Sequence, residues 1–313
     1  MSFKLGLVGL CTSHPENWVP IIREMNEVGT VDVEIVCAWD SGETRPAGFA
    51  YEFCEKFDIP NVVENLEDMV DMVDGIILHT TNWDKHIEQA RPFVEADKAV
   101  LVDKPIVGNM RDANIFLDWM KQGKRVTGGS SLRFAKEVRD WLAKPVEERG
   151  EVHTAYSAIG VDDFNYGIHA YSILSCLMGP GIQSVQFICE SKQKNILIRW
   201  NDGRVAFLTV GKSSWLPFCV TAVTDKNIFM TSTDNSIIYK SLLEAQLPYL
   251  TGKTDDLPLG IDEILEPELA AMAARVSWMN NGQKVFLTDL QQDMEGYDGD
   301  QFAREYARTR INP

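Results

Sequence analysis

The chain has no CxxC pair: its six cysteines, at positions 11, 37, 54, 176, 189 and 219, are scattered without a metal-ligand spacing or a disulfide-like framework. Such usage fits buried thiols in a reducing cytoplasm better than a stapled secreted fold. No stretch approaches the roughly 18 consecutive apolar residues of a membrane span. No charged segment followed by an apolar run and a cleavage site opens the sequence, so no signal peptide is expected. Positive charge is scarce as well: 30 Lys and Arg against 46 Asp and Glu give a formal net charge of -16. Nucleic acids and anionic membranes are held through excess basic residues, so neither is expected as a partner. A metal site is conceivable among His14, His79, His86 and His169, but no ligand spacing supports one, and no metal is expected. What remains is a cytoplasmic protein of 313 residues with room for two domains and a small-molecule ligand.

Residues 1–128 alternate strand and helix signals. Gly75 to His79 and Ala99 to Val102 are continuous apolar runs of strand length, separated by a helical pattern from His86 to Ala96. Continuous runs indicate strands buried on both faces, the signature of a parallel sheet. Residues 129–313 read differently. From Val152 the strands lengthen and alternate, as in Asn195 to Trp200 and Arg204 to Val210, before a helical stretch from Ile264 to Asn280. The fold class is therefore α/β: a doubly wound parallel sheet over 1–128, then an α+β domain over 129–313 with an open, mainly antiparallel sheet. The polar tail from Thr288 is not assigned to either helix or strand.

The chemistry concentrates at strand ends. Gly6-Leu7-Val8-Gly9-Leu10-Cys11-Thr12-Ser13-His14 follows the first strand, where a G-x-G-x-x-G loop would cradle a pyrophosphate; Cys11 and His14 replace its second and third glycines. Ser13 and Glu16 form an S-x-x-E capping box, and Pro20 suggests that the helix starts later. Asp40 ends the second strand, where a carboxylate binds an adenosine ribose and repels a 2′-phosphate. NAD is thus favoured, with Arg45 keeping NADP open. Thr80, Thr81 and Asn82, with His86 at the next helix start, stand where a nicotinamide ribose could lie. Asp103-Lys104-Pro105 closes the apolar strand Ala99 to Val102, and a lysine at that end faces whatever the sheet binds. His169, near the start of an amphipathic helix, is suited to proton transfer at neutral pH.

Taken in order, Gly6-x-x-Gly9, Asp40, His79-Thr80-Thr81-Asn82 with His86, Asp103-Lys104-Pro105 and Gly167-x-His169 resemble the glucose-fructose oxidoreductase, inositol dehydrogenase and MocA family over nearly the whole chain. The resemblance implies a Rossmann domain joined to an open antiparallel sheet used for oligomerisation. It also implies NAD- or NADP-dependent hydride transfer at a secondary alcohol of a sugar, polyol or related compound. It carries the family's lysine onto Lys104 and its catalytic histidine onto His169. Gly9, Cys11, Thr12, Ser13, His14, Asp40, Thr80, Thr81, Asn82, His86, Asp103 and Lys104 fall on the cofactor side. Lys104, Arg133, Asn165, Tyr166 and His169 fall on the substrate side, with Asn165 counted as catalytic. Asn165 stands where members carry an aspartate one turn before the histidine, so Asp162 or Asp163 is a candidate substitute. These departures mark a divergent branch. Two alternatives follow from them: a regulatory protein that binds a nucleotide or sugar without turnover, and an enzyme that retains NAD while cleaving a glycoside.

Overall fold

Strands buried on both faces read as unbroken apolar runs, and the first half of the chain shows this directly. In the computed structural model, which describes residues 2–311, β4 (Gly75–Leu78) and β5 (Ala99–Val102) are buried at every position. In chain order the half comprises β1 (Phe3–Val8), α1 (His14–Glu27), β2 (Val33–Trp39), α2 (Phe49–Lys56), β3 (Asn61–Val62), β4, α3 (His86–Glu95), β5, α4 (Met110–Lys121) and β6 (Val126–Gly128). The six strands run parallel in the order β3-β2-β1-β4-β5-β6. The order reverses between β1 and β4, so the connections leaving these two strands part to opposite faces and open a crevice at their carboxyl ends.

Helix α1 starts directly at His14, and Pro20 lies inside it. Its buried face of Trp18, Val19, Ile22 and Met25 anchors the helix on both sides of the proline, which outweighs the one hydrogen bond that a proline removes. Ser13 occupies the N-cap without a side-chain cap, and Glu16 pairs instead with Lys56 (3.3 Å) and Arg45 (3.9 Å), so the capping box does not form.

The second half contains α5 (Lys136–Leu142), α6 (Val146–Arg149), β7 (Val152–Ala158), α7 (Gly167–Met178), β8 (Ile182–Glu190), β9 (Lys194–Trp200), β10 (Val205–Val210), β11 (Cys219–Thr224), β12 (Ile228–Ser232), α8 (Ile238–Leu250), α9 (Glu266–Met279), β13 (Val285–Phe286) and α10 (Gly299–Ile311). Its sheet has the order β12-β11-β7-β10-β9-β8-β13, antiparallel except for the β7–β10 pair. Helices α7 and α9 share a core with the inward residues of this sheet, such as Ile196, Ile198, Ala206 and Leu208. The opposite face presents Met230, Tyr156 and Phe207, aligned across the sheet through Thr221.

Two elements of the second half return to the first. Leu242, Leu243, Leu247 and Leu250 of α8 belong to the core of the parallel sheet, and Gln246 donates to the Gly128 carbonyl (3.0 Å). The tail left unassigned from sequence contains α10, whose first amide, on Gly299, donates to Asp84 (2.7 Å) just past the end of β4. No helix among the described residues is long and apolar enough to cross a membrane.

Candidate active site

The turn after β1 is built on Gly9, which has φ +78° and touches the β4 connection: a Cβ there would lie 2.5 Å from Thr80 Oγ1 and 2.7 Å from its backbone nitrogen. Only glycine fits this approach. The chain then runs through Leu10 and Cys11 to Thr12 and Ser13 at the amino end of α1. Asp40 lies alongside, one carboxylate oxygen accepting from Leu10 N (2.5 Å) and the other from Gly42 N (2.8 Å). Cys11 is fully buried, and burial, reinforced by the Asp40 charge, raises its thiol pKa. In the second glycine slot it is thus a protonated, inert side chain turned inward.

Residues 43–45 cross this loop. Arg45 donates from Nε to Leu10 O (2.9 Å) and from Nη2 to Thr12 O (3.0 Å), its guanidinium resting 4.3 Å from the Phe49 ring centre. Thr44 is fully buried against the Cys11 thiol, which Thr81 also contacts. Glu43 accepts from Asn82 Nδ2 (3.1 Å), a group that also donates to Asp300 of α10. Asn82, expected beside a nicotinamide ribose, is therefore enclosed by its own chain. One depression is lined by Trp39, Ser41, Glu43 and Asn65, and a separate cleft by Thr12, Thr81 and Lys104.

His86 departs from expectation too. Both its ring nitrogens face backbone carbonyls, Ile106 O (3.0 Å) and Thr80 O (2.7 Å), so it lies between two strand-end loops rather than facing a ligand; burial lowers its pKa, and the two carbonyls oppose that shift. Thr80 is likewise inward, donating to Gln89 (2.6 Å). Arg133 lies outside the cleft, paired with Glu263 (3.0 Å) in a separate groove with Arg139 and Ser175.

The remaining candidates converge. A cleft of about 300 Å³ is lined by Thr12, Ser13, His14, Thr81, Lys104, Asn165, Tyr166 and His169. Lys104 leaves the end of β5 through a cis Lys104–Pro105 bond, and its ammonium donates to both the backbone oxygen and Oδ1 of Asn165, each at 2.9 Å. Burial lowers the lysine's pKa, while the charges of Asp103 and Asp162 pull it back up. Asp162 uses Oδ1 to accept from the amides of Phe164 (2.9 Å) and Tyr166 (2.8 Å), which shapes the turn presenting Asn165. Asp163 pairs with Lys194 (3.4 Å). Neither aspartate supports His169, whose Nδ1 lies 2.7 Å from Ser130 Oγ. Burial, then the charge of Lys104, holds this histidine well below its ordinary pKa, hence neutral.

Asp103 is the electrostatic centre of the cleft floor. Its Oδ1 accepts from Lys104 N (2.7 Å), and its Oδ2 meets His14 Nδ1 (2.5 Å) and His79 Nδ1 (3.2 Å). Burial would raise this carboxyl, but the two imidazoles outweigh it and hold it well below the usual range. Sequence reasoning missed Ser130 and Tyr239, and it quoted His79 in a strand-end motif without placing it in the site. Ser130 and His79 stand at the carboxyl ends of β6 and β4, where the strand-end rule that selected Lys104 applies equally. Tyr239, on α8, packs its ring 5.0 Å from that of His14, and nothing local in the sequence marks it.

Residues 3–129 match the family described as "Oxidoreductase family, NAD-binding Rossmann fold". A curated relative from Salmonella typhimurium, named "Putative oxidoreductase YceM", is 25% identical over 169 residues, 53% of this chain; the chain spans about half (51%) of that relative's length. Among solved structures, scyllo-inositol dehydrogenase from Lactobacillus casei, with bound NAD(H) and scyllo-inositol, superposes with a TM-score of 0.72 at 15% identity, covering 92% of this chain and 100% of that one. An oxidoreductase from Thermotoga maritima gives 0.72 at 16% identity, covering 93% and 100%. At such identities the superpositions establish the fold, a parallel-sheet domain followed by a mainly antiparallel one. The likeness to that family thus rests on residues 3–129, less than half of the chain, and is a likeness to its NAD-binding Rossmann fold.

Proposed function

We propose that the protein is an NAD-dependent oxidoreductase acting on a secondary alcohol or ketone of a sugar, polyol or related compound. The observation that carries this reading is the part-buried pairing of Lys104 with Asn165 in the cleft that His169 also lines. An ammonium has three donors; Asn165 takes two, which fixes the nitrogen and leaves the third for a substrate oxygen. Charge placed in advance at the oxygen that becomes an alkoxide favours the transition state over the ground state. His169, kept neutral by burial and by Lys104, is in the form that accepts the hydroxyl proton.

The residues present fit NAD at both ends. The Gly9 turn leaves no room for a Cβ, Asp40 stands at the end of β2, and Thr12, Ser13 and Lys104 border the cleft. NAD would supply the hydride acceptor. The Arg45 guanidinium is occupied by Leu10 and Thr12, which supports NAD over NADP. Arg45 is tied to two carbonyls of the loop after β1, and this contact favours one other reading, a regulatory protein that binds ligand without turnover.

Reduction of NAD, followed by absorbance with a panel that includes scyllo- and myo-inositol, tests the proposal. Turnover should fall about 10²- to 10⁴-fold in Lys104→Ala and in His169→Ala. Full turnover in either variant removes that residue from the mechanism, and failure to bind NAD or NADH removes the enzyme reading. The unpaired cysteines support a reducing, cytoplasmic location, and the exposed row of Met230, Tyr156 and Phe207 supports association of copies through the second sheet.

A further inference from the structure

We infer that His14, His79 and Asp103 form a binding site for a divalent transition metal on the floor of the cleft. The three residues come from the first position of α1 and from the carboxyl ends of β4 and β5, and their ligand atoms all lie within 4.8 Å of one another. His14 holds the slot where the dinucleotide loop would carry its third glycine, and its imidazole turns toward the end of β5 instead.

The donor set is two imidazole nitrogens and one carboxylate, which suits zinc and its first-row neighbours rather than magnesium or calcium, ions that prefer oxygen alone. Ligands 2.0–2.2 Å from a tetrahedral zinc stand roughly 3.3 Å apart. The His79–Asp103 separation of 3.2 Å already has that value, and the His14–Asp103 contact of 2.5 Å needs to open slightly. Support around the ligands is in place: the free carboxylate oxygen accepts from Lys104 N (2.7 Å), as outer-shell partners do.

His79 supplies the independent observation. Its ring is 1% exposed and its Nε2 has no hydrogen-bond partner. With a metal on Nδ1 the proton resides on Nε2, in surroundings that include the Trp18 ring, T-shaped at 4.7 Å, where an N–H is better accommodated than a bare lone pair. Three protein ligands leave a fourth position. Since His14 lines the cleft with Lys104 and His169, that position takes an oxygen of the bound small molecule, a hydroxyl or a carboxylate.

The test needs neither nucleotide nor substrate, so it stands apart from the dehydrogenase reading. The full chain is stripped with a chelator and titrated calorimetrically with zinc alone, then with cobalt(II) followed by visible spectroscopy. The expected result is one equivalent of zinc, weakened at least about 100-fold in His14→Ala and in Asp103→Asn, and cobalt bands of a four-coordinate site that both variants lose. Thermal melts establish that each variant is folded, and His79→Gln replaces either one that is not. Absence of stoichiometric zinc binding, or binding of undiminished strength in the folded variants, overturns the proposal.

Discussion

His169 Nδ1 lies 2.7 Å from Ser130 Oγ, so the group that orients the histidine is a neutral hydroxyl from the end of the parallel sheet rather than a carboxylate from the histidine's own loop. Ser130 Oγ also accepts from Leu132 N (3.1 Å), and with two lone pairs it can accept the Nδ1–H at the same time, which leaves Nε2 as the basic nitrogen. Ser130→Ala removes about 1 kcal/mol of positioning and should lower kcat about 5- to 10-fold with little change in KM. Ser130→Thr should restore most of it. Equal losses in the two variants would assign Ser130 to folding alone, since both alter packing and only one removes the hydroxyl.

Arg45 is bonded to the Leu10 and Thr12 carbonyls of the loop after β1, so a dinucleotide lying along that loop, as proposed, binds at the cost of displacing it. Arg45→Ala deletes these two hydrogen bonds, each contributing about 0.5–1.5 kcal/mol. NADH affinity should then rise about 10-fold, because the fraction of molecules with that loop free grows. Fluorescence titration of NADH reads this directly. An unchanged or weaker affinity means that Arg45 does not compete with the nucleotide.

Much of this was legible in the sequence, and the parts that were not share a cause. Apolar runs such as Ala99 to Val102 announce strands buried on both faces, so the parallel sheet and the placing of Lys104 at a strand end followed from pattern alone. His14, His79 and Asp103 are 65 and 24 residues apart in sequence, and only the sheet order β1-β4-β5 makes them neighbours. Asn82 and His86 carried the right chemistry at the right strand end, but loop 43–45, α10 and the Ile106 carbonyl claim them, and those are long-range partners that no local pattern encodes.

Gly9 offers a sharper test of the nucleotide loop. A methyl group there would meet Thr80 within van der Waals distance at a φ of +78°, so Gly9→Ala combines left-handed strain with a clash against backbone. Stability should drop by about 2–4 kcal/mol in urea unfolding. A loss below about 0.5 kcal/mol would show that the turn relaxes and that the close approach to Thr80 is not required.

Glu268, buried on α9, accepts from Ile106 N (3.1 Å), two residues beyond Lys104. Burial pushes its carboxyl from 4.5 up to about 7, against the opposing pull of that amide and of the Arg133 charge. Between those two values the folded state holds a proton that the unfolded chain releases, so this group subtracts stability as pH rises from 4.5 to 7. The full penalty, about 3 kcal/mol, is present above pH 7, and none is present below 4.5. Glu268→Gln keeps the acceptor for Ile106 and cannot ionise. It should match the parent near pH 4.5 and exceed it by up to that amount at pH 8, measured as the difference between two urea-unfolding series. Parallel series across this range would mean that the carboxylate is ionised in the fold at no cost, and that the Ile106 amide and Arg133 compensate its burial completely.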